Sequence, residues 1–394
     1  MKKTVIVSAA MTAICALACD RARAEIYELP PEGFDVIGAV STIVARHEDT
    51  LVDIARRHGL GYEDIVRANP EVNPWLPGAG TEIVLPTRYV LPPGPREGVI
   101  LNLAEYRMYY YPTPGEGQTP VVMTYPISIG RMDWETPIGR TRIISKVRDP
   151  AWYPPKSVRE EHAAEGRPLP NIVPPGPDNP LGRFAMRLDI PGYLIHGTNR
   201  PAGVGMRVTH GCIRMFPEDI EHLFEKIDVR TPVRIVNEPV KIGWFGDELV
   251  MEVHPVLAAP LPVTDGVDAP LPDGQVAAES ADGQPPVKVP ADDATGESIG
   301  ESIGASIGES MAASEDAPSD EKIGQPIDQP IDNPADIVVK DPLTYVTEQF
   351  IAATDVRAGE LDWHRVEALI ERSDGMPSTV GRGIKNAAAS AASE

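Results

Sequence analysis

The spacing of apolar positions divides this chain into stretches of different period. In DTLVDIARRHGLGYEDIVRANP, from Asp49 to Pro70, Leu51, Ile54 and Ala55 share one helical face. Ile65, Val66 and Ala68 form a second apolar group, with Gly59 between the two. Two short helices are predicted there, the first capped by Asp49 or Thr50. Val40–Val44 before them and Glu82–Leu85 after them have strand character. From Gly98 the period shortens to two: Val99, Leu101 and Leu103, a turn near Ala104-Glu105, then Tyr106, Met108 and Tyr110. PVVMTYPISIG, IGRTRIISKV, FAMRLDIPGYLIHG and TPVRIVNEP continue as strands broken by Gly and Pro. Two helices interrupt them, over Ser157–Gly166 and Pro217–Ile227. The second has Pro217 in its first turn and Ile220, Leu223, Phe224 and Ile227 on one face. The pattern predicts a strand-helix-helix-strand unit over 38–88, then a mostly-β domain over 97–253, joined by a linker at Pro92–Glu97.

The two ends read differently. Lys2 and Lys3 precede an apolar run, Thr4 to Ala18, too short for a comfortable span, and Ala22-Arg23-Ala24 supplies small residues at a cleavage site. Residues 1–24 are therefore a predicted signal peptide and the mature chain begins at Glu25, which implies export to the periplasm. ALAC, ending at Cys19, loosely resembles a lipoprotein box with Ala16 where leucine is usual; lipidation of Cys19 is the minor alternative. No second apolar stretch is long enough to span a bilayer, so no transmembrane span is expected in the mature chain. Residues 255–336 are rich in Pro, Asp, Gly and Ser, with GESIGESIGASIGES repeating every four residues, and read as a disordered acidic linker. Helical periodicity returns around Val366, Leu369 and Ile370, so 337–394 reads as a short helical segment. The net charge of −22 argues against nucleic acid as a partner, because phosphate affinity needs clustered Lys and Arg.

Cysteine usage sharpens the picture. Of three cysteines, removal of 1–24 takes Cys15 and Cys19 and leaves Cys212 alone. A lone thiol in an oxidising compartment is buried, paired between molecules, or chemically employed. Gly211, His210 and Arg214 around it argue against apolar burial. A nearby imidazole can take the thiol's proton. His196, 16 residues upstream, ends an apolar strand, so a returning loop can bring Cys212 opposite it; His210, two residues before the thiol, better suits shaping the pocket. Gly197 and Gly211 permit close backbone approach, and amides around Gly211 and Cys212 suit an oxyanion hole. The His-x-Cys spacing is not a usual structural zinc pattern, and no metal or organic cofactor is expected.

IHGTNRPAGVGMRVTHGCIRM, Ile195 to Met215, resembles the active-site block of the L,D-transpeptidases: a His, a variable stretch, then Ser/Thr-His-Gly-Cys, matched by His196 and by Thr209, His210, Gly211 and Cys212. The likeness runs through GRMDWETPIGRTRI and NPLGRFAMRL to PEDIEHLFEKIDVRTPVRIV, about Gly98 to Val236. It is nearest to the Gram-negative branch that crosslinks peptidoglycan or attaches lipoprotein to it. The resemblance implies a β-rich catalytic fold, Cys212 as nucleophile, and His196 as base, oriented by the Gly197 carbonyl. It implies a stem tetrapeptide as acyl donor and an amine of a second stem or of an envelope lipoprotein as acceptor. Arg214 and Arg207 are candidates to hold a substrate carboxylate. An L,D-carboxypeptidase using water, or a non-catalytic wall-binding protein, are the alternatives. DTLVDIARRHG and RANPEVNPWLPGAGTEIVLP resemble a LysM domain, with Glu48 where that family commonly has Gly; this implies affinity for N-acetylglucosamine-containing glycan strands. The expected fold class is thus multi-domain: a mostly-β L,D-transpeptidase catalytic domain, preceded by a small α+β LysM domain and followed by a disordered acidic tail.

Overall fold

The computed structural model describes residues 25–131, 136–257 and 340–384. The expected signal peptide and nearly all of the acidic stretch lie outside the described residues. After β1 (Glu25–Glu28) come β2 (Val36–Gly38) and β3 (Ser41–Val44), then α1 (Leu51–Arg57), α2 (Tyr62–Ala68), β4 (Glu82–Leu85) and β5 (Arg88–Val90). α1 starts where it does because the Thr50 hydroxyl accepts from Asp53 N (3.1 Å) while the Asp53 carboxylate accepts from Thr50 N (3.3 Å). This reciprocal cap satisfies two otherwise orphaned N–H groups. β3 and β4 pair antiparallel, Ser41 against Leu85 through Val44 against Glu82. Leu51, Ile54, Ala55, Leu60, Ile65, Ile83 and Leu85 close a small core between helices and hairpin. β2 and β5 pair beside it; at Gly38 (φ +70°) a Cβ would fall 1.9 Å from the Thr87 carbonyl, so only glycine fits.

The β-rich part follows with β6 (Gly98–Asn102), β7 (Arg107–Tyr111), β8 (Val121–Pro126), β9 (Ile129–Gly130) and β10 (Gly139–Arg148). Then come α3 (Lys156–Ala164), β11 (Phe184–Leu188), β12 (Leu194–His196), β13 (Arg207–Thr209), β14 (Ile213–Arg214), α4 (Pro217–Lys226) and β15 (Pro232–Val236). Nine strands form one sheet in the order β1-β8-β7-β6-β15-β10-β11-β12-β14. Its main core takes Val99, Leu101, Met108 and Tyr110 from one face, and Ile220, Leu223, Phe224 and Ile227 of α4 pack there. Burying side chains of this size contributes about 1.5–3 kcal/mol each. The opposite face is buried as well: Ile100, Tyr109, Tyr111 and Val122 pack against Ile37, Tyr89 and Leu91. That second face is why GVILN and RMYYY read as nearly unbroken apolar runs.

β16 (Val240–Phe245) and β17 (Glu248–Val253) leave this sheet. They form a sheet in the order β16-β17-β19-β18 with β18 (Gly359–Leu361) and β19 (Ser378–Gly383), and α5 (Pro342–Thr354) and α6 (Trp363–Arg372) pack on it. Val240, Trp244, Leu249, Met251 and Val253 share a core with Tyr345, Val346, Val366, Leu369 and Val380. The stretch expected as short helices is therefore half of an α+β unit, and residues 240–253 supply the other half. The acidic stretch joins β17 to α5 within that unit.

A buried charge cluster ties the parts together. The Lys241 ammonium, 0% exposed, lies 2.6 Å from Glu105 and 2.9 Å from Glu252. Glu252 also bonds His254 (2.7 Å) and accepts from Val90 N (2.6 Å). Among the described residues no helix is long and apolar enough to cross a membrane.

Candidate active site

β12 and β14 run parallel, with Ile195 against Ile213 and His196 against Arg214. Ile195 and Ile213 both enter the main core. Side chains alternate along a strand, so His196 and Arg214 share the opposite face, and Cys212 immediately precedes β14. A slip of one residue would bury the imidazole among isoleucines, so the core fixes the register of the site.

His196 is 5% exposed, and its Nδ1 lies 2.6 Å from the Gly197 carbonyl oxygen. A carbonyl only accepts, so Nδ1 carries the proton and the Nε2 lone pair is free to accept one. Burial, reinforced by the Arg214 charge, pushes the imidazole down to about 3, against the Gly197 hydrogen bond. Gly197 N donates to Phe184 O (3.1 Å), and a Cβ at Gly197 would meet Ile220 Cγ2 at 3.1 Å. Glycine there lets α4 pack close behind the histidine.

Cys212 is the free cysteine of the described residues and is partly exposed. Its thiol donates to the Gly192 carbonyl (Sγ···O 3.6 Å). Burial raises the thiol above its ordinary range, while the Leu194 N–H and the Arg214 charge oppose the rise. The resting pair is thus a neutral thiol and a neutral imidazole, with the sulfur bonded to Gly192 rather than to His196.

The backbone at the thiol is held by two threonines. Thr209 Oγ1 donates to Cys212 O (2.6 Å), and Thr136 Oγ1 donates to Gly211 O (2.9 Å). Because the peptide is planar and trans, tying down the Gly211 carbonyl points the Cys212 N–H the opposite way. Gly211 adopts φ +94°, a conformation that disfavours any side chain.

The basic residues divide. Arg214 is mostly buried, and its Nε has no hydrogen-bond partner. Burial and the neighbouring Arg200 charge lower its affinity for its proton. A guanidinium held without an anion is costly, and a carboxylate arriving at it would relieve that cost. Arg207 differs: its Nε donates to Gly130 O (3.0 Å), stapling β13 to β9. His210 turns toward α3, with Nε2 2.9 Å from Glu161, whose other oxygen meets Arg131 at 2.7 Å. Arg131 first, then His210, hold the Glu161 carboxyl below the usual carboxylate range.

Thr136 and Glu161 escaped the sequence reading. Thr136 lies inside GRMDWETPIGRTRI, where nothing marks one threonine from another, and Glu161 lies on a helix predicted without a role. Among the described residues, the ligand atoms of Glu105, Glu252 and His254 converge within 4.8 Å. Lys241 already supplies the cation for both carboxylates there.

The sequence model of the YkuD family, the L,D-transpeptidase catalytic domain, matches residues 96–235. The chain is similar to the Escherichia coli (strain K12) protein "Probable L,D-transpeptidase YcfS", 41% identical over 60% of this chain and 75% of that protein. It is similar to "Probable L,D-transpeptidase ErfK/SrfK" of Salmonella typhimurium, 40% identical over 60% of this chain and 80% of that protein. It is also similar to "Probable L,D-transpeptidase YbiS" of Escherichia coli (strain K12), 40% identical over 60% of this chain and 77% of that protein. With His196, Cys212 and Arg214 all inside the matched region and relatives of this identity covered over three quarters of their length, the chain belongs to the L,D-transpeptidase family of acyltransferases.

Proposed function

We propose that Cys212 takes the acyl group of a peptidoglycan stem tetrapeptide and passes it to an amine. The sulfur attacks the carbonyl of the diaminopimelate residue that precedes the terminal D-alanine. The thiol proton passes to Nε2 of His196 as the S–C bond forms, and the oxyanion faces the Cys212 N–H. The C–N bond then breaks, and the departing D-alanine amine takes the proton from His196. The thioester left behind is attacked by a second amine, from another stem or an envelope lipoprotein, whose proton goes to His196; as the new C–N bond forms the C–S bond breaks, and His196 returns the proton to the Cys212 sulfur. Arg214 holds a donor carboxylate; His210, steadied by Glu161, shapes the entrance. Thr209 and Gly211 set the backbone of the nucleophile, and Gly197 sets the tautomer of the base. The observation that carries this reading is the pairing of β12 with β14, which sets His196 opposite Arg214 and next to the segment carrying Cys212, with Nδ1 of the histidine committed to Gly197.

We further propose that 38–88 is a LysM-like unit holding glycan strands, supported by its strand-helix-helix-strand order. Residues 1–24 would direct export to the periplasm, and the acidic stretch would serve as a spacer. Incubation of the purified protein with disaccharide-tetrapeptide, followed by mass analysis, tests the chemistry. Crosslinked dimers with release of D-alanine are expected, and Cys212→Ala should abolish them. Tripeptide monomers alone would mean that water is the acceptor, and an active Cys212→Ala protein would remove the thiol from the mechanism.

A further inference from the structure

We infer that the N-terminal strand-helix-helix-strand unit is a working part of the catalytic site, because it fixes the loop that packs against Arg214. The inference rests on the acyl-transfer reading above and goes beyond glycan attachment. Between His196 and Cys212 the chain passes through a single 3-10 turn, Pro201–Gly203, and then Val204 and Gly205. The first turn of α2 sits directly on this loop: Tyr62 N donates to Val204 O (3.0 Å) and Glu63 N to Gly205 O (3.3 Å). The backbones meet so closely that a Cβ on Gly61 would lie 2.7 Å from Gly205 Cα. Gly205, at φ +87°, would bring its own Cβ to 2.4 Å from Gly61 Cα.

From the other side the loop is held by the catalytic sheet. Ser128 Oγ donates to Gly203 O (2.7 Å), and the Ser128 backbone pairs with that of Arg214 at 2.8 and 3.0 Å. A Cβ on Gly203 would lie 3.6 Å from Arg214 Nη1. Loop 201–206 is therefore clamped between α2 and the strand that carries Arg214.

The unit that does the clamping is itself held rigidly. Arg56 on α1 makes a two-point pair with Glu218 on α4 (2.7 and 2.8 Å). Buried Arg107 reaches Asp64 (2.6 Å) and the Gly59 carbonyl (3.3 Å), and Asp64 in turn accepts from Gly61 N (2.9 Å). The expected linker is pinned too: Arg234 bonds the Pro93 carbonyl, and Arg96 bonds Asp35 (2.6 Å) and Phe34 O (2.8 Å). A tethered anchor would need none of these contacts. Gly61 and Arg56 are accordingly positioning residues: they touch no substrate and act through the loop.

The test uses the mature full-length chain and a sugar-free tetrapeptide donor, on which glycan affinity confers nothing. Gly61 has an ordinary φ of −86°, so Gly61→Ala perturbs the contact and not the local backbone. Displacement of reacting groups by about 1 Å costs on the order of 10²-fold in rate. A fall of roughly ten- to a hundredfold in kcat on the sugar-free donor is expected, a readout that glycan affinity does not move. Arg56→Glu should lower kcat in the same direction, and adding Glu218→Arg should restore it, which keeps the inference testable if Gly61→Ala does not fold. Parental kcat for both Gly61→Ala and Arg56→Glu on that donor would overturn the inference and leave the acyl-transfer reading standing. A parent protein inactive on any tetrapeptide, with or without sugar, would overturn both.

Discussion

The resting protonation state of the thiol and imidazole yields a prediction that separates this site from thiolate–imidazolium enzymes. Burial holds the Cys212 thiol above its ordinary range and the His196 imidazole down at about 3, so the proton rests on sulfur. At about 1.4 kcal/mol per unit, protonating an imidazole held near 3 costs ~5 kcal/mol at pH 7 before substrate arrives. A turnover of about 10 s⁻¹ corresponds to a barrier of ~16 kcal/mol, so forming the imidazolium alone would take about a third of it. Deprotonation is therefore expected to accompany attack on the carbonyl, with the oxyanion contacts and a substrate carboxylate at Arg214 sharing the cost. The assay is the rate of Cys212 alkylation by iodoacetamide from pH 5 to 10. Only thiolate reacts, and the thiol ionises as pH rises toward and beyond its raised value. The logarithm of the rate should climb by about one per pH unit up to pH 9, with no intermediate level. His196→Gln should leave that profile intact while abolishing transpeptidation. A flat reactive level between pH 5 and 8 that disappears in His196→Gln would refute the reasoning, because it would reveal a pre-formed ion pair.

Two further predictions come from paired charges. Lys241→Met leaves Glu105 and Glu252 facing each other without their cation. Breaking a buried pair on one side costs about 3–5 kcal/mol, so the thermal midpoint should fall by roughly 10 °C in calorimetry, and a loss under about 1 kcal/mol would contradict the assignment. Glu161→Gln keeps the shape of the His210 contact but removes its charge. Loss of a charge-assisted hydrogen bond of about 1.5–3 kcal/mol predicts a drop of roughly ten- to a hundredfold in kcat/KM, and an unchanged value in both Glu161→Gln and Glu161→Ala would mean that α3 does not set His210.

How far the sequence alone reaches can be seen element by element. Thr50, Leu51, Ile54 and Ala55 were enough to place α1, because cap and apolar face are both local signals. The face of α4 was equally plain from Ile220, Leu223, Phe224 and Ile227, all of them buried in the main core. His196 and Cys212 were legible as partners because strand alternation and loop return bring them to one side. What stayed hidden depends on contacts between distant parts. Glu161 reaches His210 across 49 positions, and Thr136 reaches Gly211 across 75. β18 and β19, written GEL and STVGRG, lack an apolar alternation of their own: β19 pairs because β17 offers it an edge, and β18 adds to β19. The Pro-Gly-rich stretch at 92–97 has the composition of a hinge, yet Arg234 and Asp35 hold it in place. The bond from Arg207 Nε to the Gly130 carbonyl, which joins β13 to β9, has no local signal in the sequence either.

The pairing of β17 with β19 changes what the acidic stretch can be. Its two ends are anchored in one small sheet, with Leu249 opposite Gly381 and Met251 opposite Ser378, so it is a closed excursion and not a free end. Closing such a loop becomes more costly by only about 0.6 kcal/mol for each doubling of its length, so evolution can lengthen or prune these roughly 80 residues with little effect on the fold. A protease nick inside it would leave two polypeptides still clasped by a shared sheet, and a gel run without denaturant would show no change.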